Sequence, residues 1–323
     1  TSTSSVSLGT AIDTTKSYLI FQSSHSSADP GGSMIRGRIK DANSLEFESE
    51  YDTSSTINIQ WYVVEYSSGV SVQRGEISSQ SSSTMNATIS AISAVDQAFL
   101  TWSKTPGDSD GTYGQDDPIL GEITSTTNIQ FRVDDANSDH KIWWQVVEYT
   151  DSADIDVQTA STSMTGSTTS RTVSISAVDT SKSFILVGYK TSDDGNDIDE
   201  RMIHATFSSS TAVRIERDDD GDDIEEIFIQ VVQLNDGTVV QGGEAQLTPG
   251  NTTDTESLST ITVANSIAFA SVQAVGGQNM GSVDYQSRDR IGEGSVRLTL
   301  ASSQLTLTRD RSSDDTWVGW FVL

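Results

Sequence analysis

The chain has 323 residues, of which 34% are hydrophobic, and 46 acidic against 19 basic residues give it a formal net charge of −27. A polyanion of this kind repels nucleic acid and anionic membrane surfaces, so neither is an expected partner. The chain has no cysteine, which excludes disulfides and thiolate metal sites. No apolar run reaches the length of a transmembrane helix, so membrane insertion is not expected.

Short strands with recurring sequences follow one another along the chain. The most recognisable recurring element consists of an apolar strand with two adjacent valines, a polar turn, and a second strand that contains Val-Gln. We call these the Val-Val strand and the Val-Gln strand. The matched valines Val64, Val147 and Val232 are 83 and 85 residues apart. A fixed period of this length indicates tandem structural units.

Two further pairs of strands lie upstream of each Val-Val strand. In one of them Ile129, Phe131 and Val133 alternate with polar residues, which is the period of a half-buried strand. Each unit thus has about six strands and no amphipathic helical stretch. The sequence predicts an all-β chain of four tandem β-sandwich-like repeats, of immunoglobulin-like or jelly-roll-like type. Ser/Thr/Gly-rich joints divide them into residues 1–82, 83–168, 169–250 and 251–323.

The last repeat is divergent and is expected to lack its final strand. Its segment "TWVGWFVL" corresponds to the Val-Val strand, with Val322 90 residues after Val232, and no Val-Gln strand follows it. A strand without its partner presents unpaired backbone groups that template pairing with another chain. We therefore predict an assembly interface at Trp317, Val318, Trp320, Phe321, Val322 and Leu323. The alternatives are an edge that needs no further strand, a shortened capping unit, and a chain that is cut short.

Acidic loops are the main candidates for ligand chemistry, and they lie at residues 107–117, 193–200 and 218–226. The densest group consists of Asp218, Asp220, Asp222 and Asp223. Ca²⁺ takes six to eight oxygen ligands, and Asp-rich loops with a glycine at a tight turn supply them. The spacing departs from an EF-hand, because with Gly221 at the sixth position the twelfth is Ile227. Either a Ca²⁺ site or a solvated acidic hairpin tip fits these residues, and no other cofactor is expected.

Nothing in the sequence indicates catalysis. The three histidines, His25, His140 and His204, fall at non-equivalent places in different repeats, and no nucleophile, phosphate-loop or metal-hydrolase motif is present. Five of the six tryptophans lie in Val-Val strands, where packing explains them. Trp102 and Tyr113 are candidates for a sugar-stacking platform.

These features predict a non-enzymatic extracellular structural protein, a subunit of a surface filament, fibre or sheath whose main partner is itself. A first residue of Thr1 rather than methionine is expected of a processed, exported chain. In architecture alone the repeats resemble the tandem β-domain subunits of prokaryotic surface appendages and phage fibres. Two alternatives stay open: a virion structural protein, such as a tail-fibre or capsid-decorating protein, and a carbohydrate-binding adhesin that recognises surface glycans.

Overall fold

The computed structural model describes residues 2–27, 30–52, 55–105, 113–136, 139–192, 198–276 and 291–323. These residues form four units of antiparallel strands. The first unit has five strands and one helical turn, namely β1 (Ser2–Ser7), β2 (Ser17–Ser24), α1 (Pro30–Ser33), β3 (Arg36–Asp41), β4 (Ser44–Ser49) and β5 (Asn58–Glu65). No helix in the described ranges has the length and apolar character needed to cross a membrane.

The other three units have six strands each. The second contains β6 (Val70–Gln80), β7 (Thr84–Thr88), β8 (Ala98–Thr105), β9 (Leu120–Ser125), β10 (Asn128–Arg132) and β11 (His140–Tyr149). The third contains β12 (Ile155–Met164), β13 (Ser170–Ser174), β14 (Ser183–Lys190), β15 (His204–Ser209), β16 (Ala212–Glu216) and β17 (Ile224–Leu234). The fourth contains β18 (Gln241–Leu247), β19 (Thr253–Ser257), β20 (Ala268–Gly276), α2 (Ile291–Gly294), β21 (Val296–Ala301), β22 (Gln304–Arg309) and β23 (Asp315–Val322).

Each unit is a sandwich of two small sheets. What we call the ring sheet has the order β6-β11-β8, β12-β17-β14 or β18-β23-β20 in the second to fourth units. In the described residues of the first unit it consists of β2 and β5. The cover sheet has the order β1-β4-β3, β7-β10-β9, β13-β16-β15 or β19-β22-β21. In the second unit Leu100, Ile129, Phe131 and Ile142 are fully buried between the two sheets. The prediction of an all-β chain built from repeated sandwich-like units is confirmed.

The strands pair differently from the hairpin that the sequence suggests. Each Val-Gln strand pairs with the Val-Val strand of the following unit: β6 pairs with β11, β12 with β17 and β18 with β23. Gly69 (φ 81°) and Gly237 (φ 99°) form the turns at which the chain passes from one unit to the next. The sheets therefore divide the chain near these turns, and the Ser/Thr/Gly-rich joints lie inside units.

Two of these joints are held by buried arginines. Arg217 donates to the backbone oxygens of Thr168 and Thr165 at 2.9 and 2.8 Å. Arg309, which is fully buried, donates to those of Asn251 and Thr248 at 3.0 Å each. A guanidinium with its donors spread over several carbonyls holds such a loop in one conformation.

The predicted open edge at the C-terminal strand is wrong. β23 lies between β18 and β20, because its partner strand comes before it in the chain instead of after it. Of the predicted interface residues, Trp317 and Leu323 are half-buried and the others are buried, namely Val318, Trp320, Phe321 and Val322. Phe321 stands opposite Phe269, as Val232 stands opposite Phe184. The equivalent of Val232 is therefore Phe321, one residue before the Val322 that the sequence alignment predicted.

The four units close a ring. β3 lies against β8 and β11 of the second unit, β9 against β14 and β17, β15 against β20 and β23, and β21 against β2 and β5 of the first unit. Tyr18, Phe99, Phe184 and Phe269, one from each unit, pack edge to face in succession with ring centroids 5.8, 5.7 and 5.4 Å apart. A cavity of about 340 Å³ lies between β2, β8, β14 and β20.

Candidate functional site

The first unit presents a sheet edge that the other units cover. β11, β17 and β23 each lie between two strands, whereas β5 pairs only with β2, from Ser17 opposite Glu65 to Ser24 opposite Asn58. In the described part of the chain no strand pairs with the other side of β5. The backbone N–H and C=O groups on that side are therefore available to a further strand.

The strand β5 is also less buried than its equivalents. Residues 58–64 are all partly exposed, whereas every residue of β11 except Lys141 is buried. Ile59, Trp61 and Val63 pack against the core of the first unit. Natural sheet edges are usually protected by charges, proline or bulges. The only charge on β5 is Glu65, at its end, so this apolar edge has no such protection.

A hydrogen-bonding position beside this edge is filled in the other three units. There the glutamine of the Val-Gln strand bonds both backbone groups of a serine in the loop after the first strand of the cover sheet. The pairs are Gln73 with Ser90 at 2.9 and 2.7 Å, Gln158 with Ser176 at 3.4 and 2.8 Å, and Gln241 with Ser259 at 3.3 and 2.7 Å. This explains why the Val-Gln pattern recurs.

Gly9 holds the equivalent place in the first unit. The residue before it, Leu8, donates its N–H to Asn43 O at 2.7 Å, which is the bond made by the residue before Ser176 in the third unit. Gly9 is exposed, and nothing lies within 4 Å of the position of a β-carbon there. The edge of β5 and the backbone of Gly9 are thus the two places that a Val-Gln strand occupies elsewhere in the ring.

The opposite edge of the same sheet is already closed. Gln145 of the second unit accepts from Leu19 N–H and donates to Leu19 O, both at 2.9 Å. Gln230 of the third unit makes the same pair of bonds with Leu100, again at 2.9 Å. The side-chain amide of glutamine thus accepts from the N–H and donates to the C=O of one residue of the edge strand. It takes up the two backbone groups that a neighbouring strand would otherwise bond. The outer edge of β5 therefore remains as the open side.

The four predicted calcium ligands lie between β16 and β17: Asp218, Asp220, Asp222 and Asp223. The carboxylate of Asp222 pairs with the buried Arg201. The Oδ1 atom of Asp223 accepts from Gly166 N–H at 2.5 Å, and the other two carboxylates belong to exposed residues. Within the described ranges, these aspartates do not bring three carboxylates together. Ca²⁺ binding here stays a prediction. In the other two acidic loops, residues 107–112 and 193–197 lie outside the described residues.

The structure brings together a charged group that the sequence did not reveal. His204 Nε2 lies 3.0 Å from Glu244 Oε2 and 3.6 Å from Glu216 Oε2. Arg214 pairs with the same two carboxylates at 2.8 and 3.0 Å. The hydrogen bond from His204 lowers the pKa of Glu244, and the charge of Arg214 acts in the same direction. Because Glu244 belongs to the fourth unit and the others to the third, this network ties the two units together.

The candidate sugar-binding aromatics do not form an exposed platform. Tyr113 is buried, and its hydroxyl lies 2.6 Å from that of Tyr189. Trp102 is half-buried, packs edge to face against Phe131 at 6.1 Å and lines the central cavity. Trp143 is buried beneath two arginines of the first unit.

The three histidines lie in three different units and in different surroundings. His25 is buried beside Ser295, and His140 Nε2 lies 2.8 Å from the backbone oxygen of Asp135.

The sequence matches no protein-family model, and a comparison with curated proteins finds no relative.

Proposed function

We propose that the chain is a non-enzymatic structural subunit of an extracellular assembly, such as a surface filament, fibre or sheath, and that it joins its neighbours through the outer edge of β5. The observation that carries this proposal is that, among the described residues, one of four otherwise equivalent ring sheets has an edge with no partner strand. Strand addition to such an edge is a common way in which chains associate, because the main-chain hydrogen bonds form without a specific pocket.

The contacts between the four units of the ring suit a load-bearing subunit. Neighbouring units are connected by polar contacts as well as by apolar packing. Arg132 of the second unit pairs with Glu226 of the third at 2.8 Å, and Lys141 of the second with Glu50 of the first at 2.8 Å. Tyr62 of the first unit donates to Leu298 O of the fourth at 2.9 Å. These contacts favour a ring that acts as one body.

The strong negative charge supports the same role. A net charge of −27 keeps separate molecules apart in solution, except where a specific contact such as strand pairing overcomes the repulsion. We therefore expect assembly to strengthen as salt screens the charges over about 10 Å at 0.1 M ionic strength.

The test is the variant Val63→Pro. Leu19 directs its N–H and C=O toward Gln145, so its partner Val63 directs its own toward the open edge. Proline at this position removes an outward N–H while the bonds between β2 and β5 remain. Val63→Thr keeps the N–H and is the matched control.

The measurement is the distribution of particle mass, by sedimentation velocity and negative-stain microscopy. We expect oligomers or filaments for the native chain and for Val63→Thr, and monomers for Val63→Pro with a thermal unfolding curve close to that of the native chain. A native chain that stays monomeric at high protein concentration and high salt would contradict the proposal.

A further inference from the structure

The ring also indicates which kind of strand fills the open edge. We infer that β5 accepts an antiparallel strand of the pattern Val-x-Val-Gln-x-Gly, supplied by a neighbouring polypeptide. This inference rests on the proposed function, since it names the partner at the same edge. It is argued from the three units in which the place is occupied.

The direction follows from all three units, and the register follows from the second and third units. β6, β12 and β18 all run antiparallel to their Val-Val strands. In the second unit Val72 stands opposite Val147, and Gln73 stands opposite Val146. Val64 corresponds to Val147, because both stand opposite an aromatic residue of the inner strand, Tyr18 or Phe99. A strand in the same register would therefore bond the outward backbone groups of Val63.

The first unit has a hydrogen-bonding site for the glutamine of the pattern. In the occupied units this side chain is held by the backbone of the loop after the first strand of the cover sheet, as Gln73 is by Ser90. The first unit offers the exposed backbone of Gly9 at the same position. A strand without glutamine there would leave both backbone groups of Gly9 unused.

The glycine of the pattern is dictated by Trp61. In the second unit Trp144 lies three residues before Val147, and the residue opposite it is Gly75. A β-carbon at Gly75 would overlap the indole of Trp144. Trp61 lies three residues before Val64 and takes the place of Trp144 in the first unit.

The other two units also place a small residue opposite the larger one. In the fourth unit the tryptophan lies one residue before Phe321 instead of three; Gly243 stands opposite this Trp320, and a β-carbon on the glycine would lie 2.8 Å from the indole. In the third unit the opposed residue is the smaller Ile229, and its partner is Ala160. The tryptophans that pack into the core of their own unit, Trp144 and Trp320, thus stand opposite glycine. Trp61 is expected to select glycine as well.

The best available probe is the chain's own β6 sequence. A fluorescent peptide of residues 69–79, GVSVQRGEISS, contains the full pattern. We expect it to bind the intact protein and to protect the amides of Trp61 and Val63 from hydrogen exchange. Replacing its glutamine by alanine should weaken binding about tenfold, since two hydrogen bonds to backbone are lost. Replacing its glycine by valine should abolish binding, because the side chain meets Trp61.

Two protein variants locate the binding. Val63→Pro should abolish peptide binding, and Gly9→Pro, which removes the N–H but keeps the C=O that bonds the glutamine, should weaken it less than the alanine peptide does. Gly9→Ala keeps the N–H in open space and should bind as the native protein does. Failure of the peptide to bind, or equal binding by the valine peptide, would overturn the inference.

The two proposals can fail separately. If the peptide binds but the protein alone stays monomeric under all conditions, the inference holds and self-assembly is refuted. If the protein assembles through β5 and the peptide neither binds nor dissociates the assembly, the edges of two copies pair directly. In that case the proposed function holds and the Val-x-Val-Gln-x-Gly partner is refuted.

Discussion

Acid is expected to weaken the contact between the first and fourth units through His25. This side chain is 1% exposed, and its Nε2 lies 2.9 Å from Ser295 Oγ of the fourth unit. Beside it, Gly292 N–H donates to Ser27 O at 3.2 Å. Burial lowers the pKa of His25 from 6.5 to about 4, against the attraction of Asp310 and a hydrogen bond with the backbone of Ser27.

The direction of the effect follows from where the proton binds. The unfolded chain protonates His25 near pH 6.5, whereas the folded chain does so only near pH 4. The contribution of the neutral His25 to the free energy of unfolding is therefore fully present above pH 6.5, and it is lost as the pH falls toward 4. With about 1.4 kcal/mol for each unit of pKa difference, the whole loss is about 3 kcal/mol.

The assay is urea unfolding of the native chain and of His25→Gln at a series of pH values. Glutamine keeps a hydrogen-bonding group near Ser295 but does not titrate. Between pH 6.5 and about pH 5, where most carboxylates remain ionised, the native chain should lose about 1.5 kcal/mol more than the variant. Burial also lowers the pKa of His140, but both proteins share that contribution. Parallel stability curves for the two proteins would refute the assignment to His25.

Two further substitutions test the contacts between units. Trp143→Ala should cost about 3–5 kcal/mol in urea unfolding, because a large buried side chain is removed; Arg36 and Arg38 of the first unit lie 4.2 and 4.3 Å from its ring and lose their stacking partner. Gln145→Ala should cost about 1–3 kcal/mol, because Leu19 N–H and C=O are left buried without their partner. Stabilities within 0.5 kcal/mol of the native chain, roughly the range of neutral surface changes, would contradict either expectation.

The fold class could be predicted because its signals are local. Alternation in segments such as that of Ile129 and Phe131 specifies strands with one buried face, and the copies of Val64, Val147 and Val232 reveal the repeat. The choice of partner strand could not be predicted in the same way. A Val-Gln strand is flanked by equivalent Val-Val strands in two units, and pattern alone does not distinguish them.

The open edge shows the same limit. The sequence has four Val-Val strands and three Val-Gln strands, so one Val-Val strand lacks a partner. Pairing each Val-Gln strand with the Val-Val strand before it in the chain leaves β23 without one. The sheets place it at β5, since β18 pairs with β23. The network of His204, Glu216 and Glu244 was missed because its members come from two units. The signal for it was weak: a histidine and two charged residues within strands that otherwise alternate polar and apolar residues.

The most direct test of the open edge is amide hydrogen exchange at Trp61 and Val63, compared between assembled protein and protein dispersed by dilution. We predict rapid exchange of both amides in the dispersed chain and strong protection in the assembly, while the amide of Tyr62, which faces β2, is protected in both. Equal exchange of Trp61 and Val63 in the two states would show that subunits meet elsewhere and would contradict the role assigned to β5.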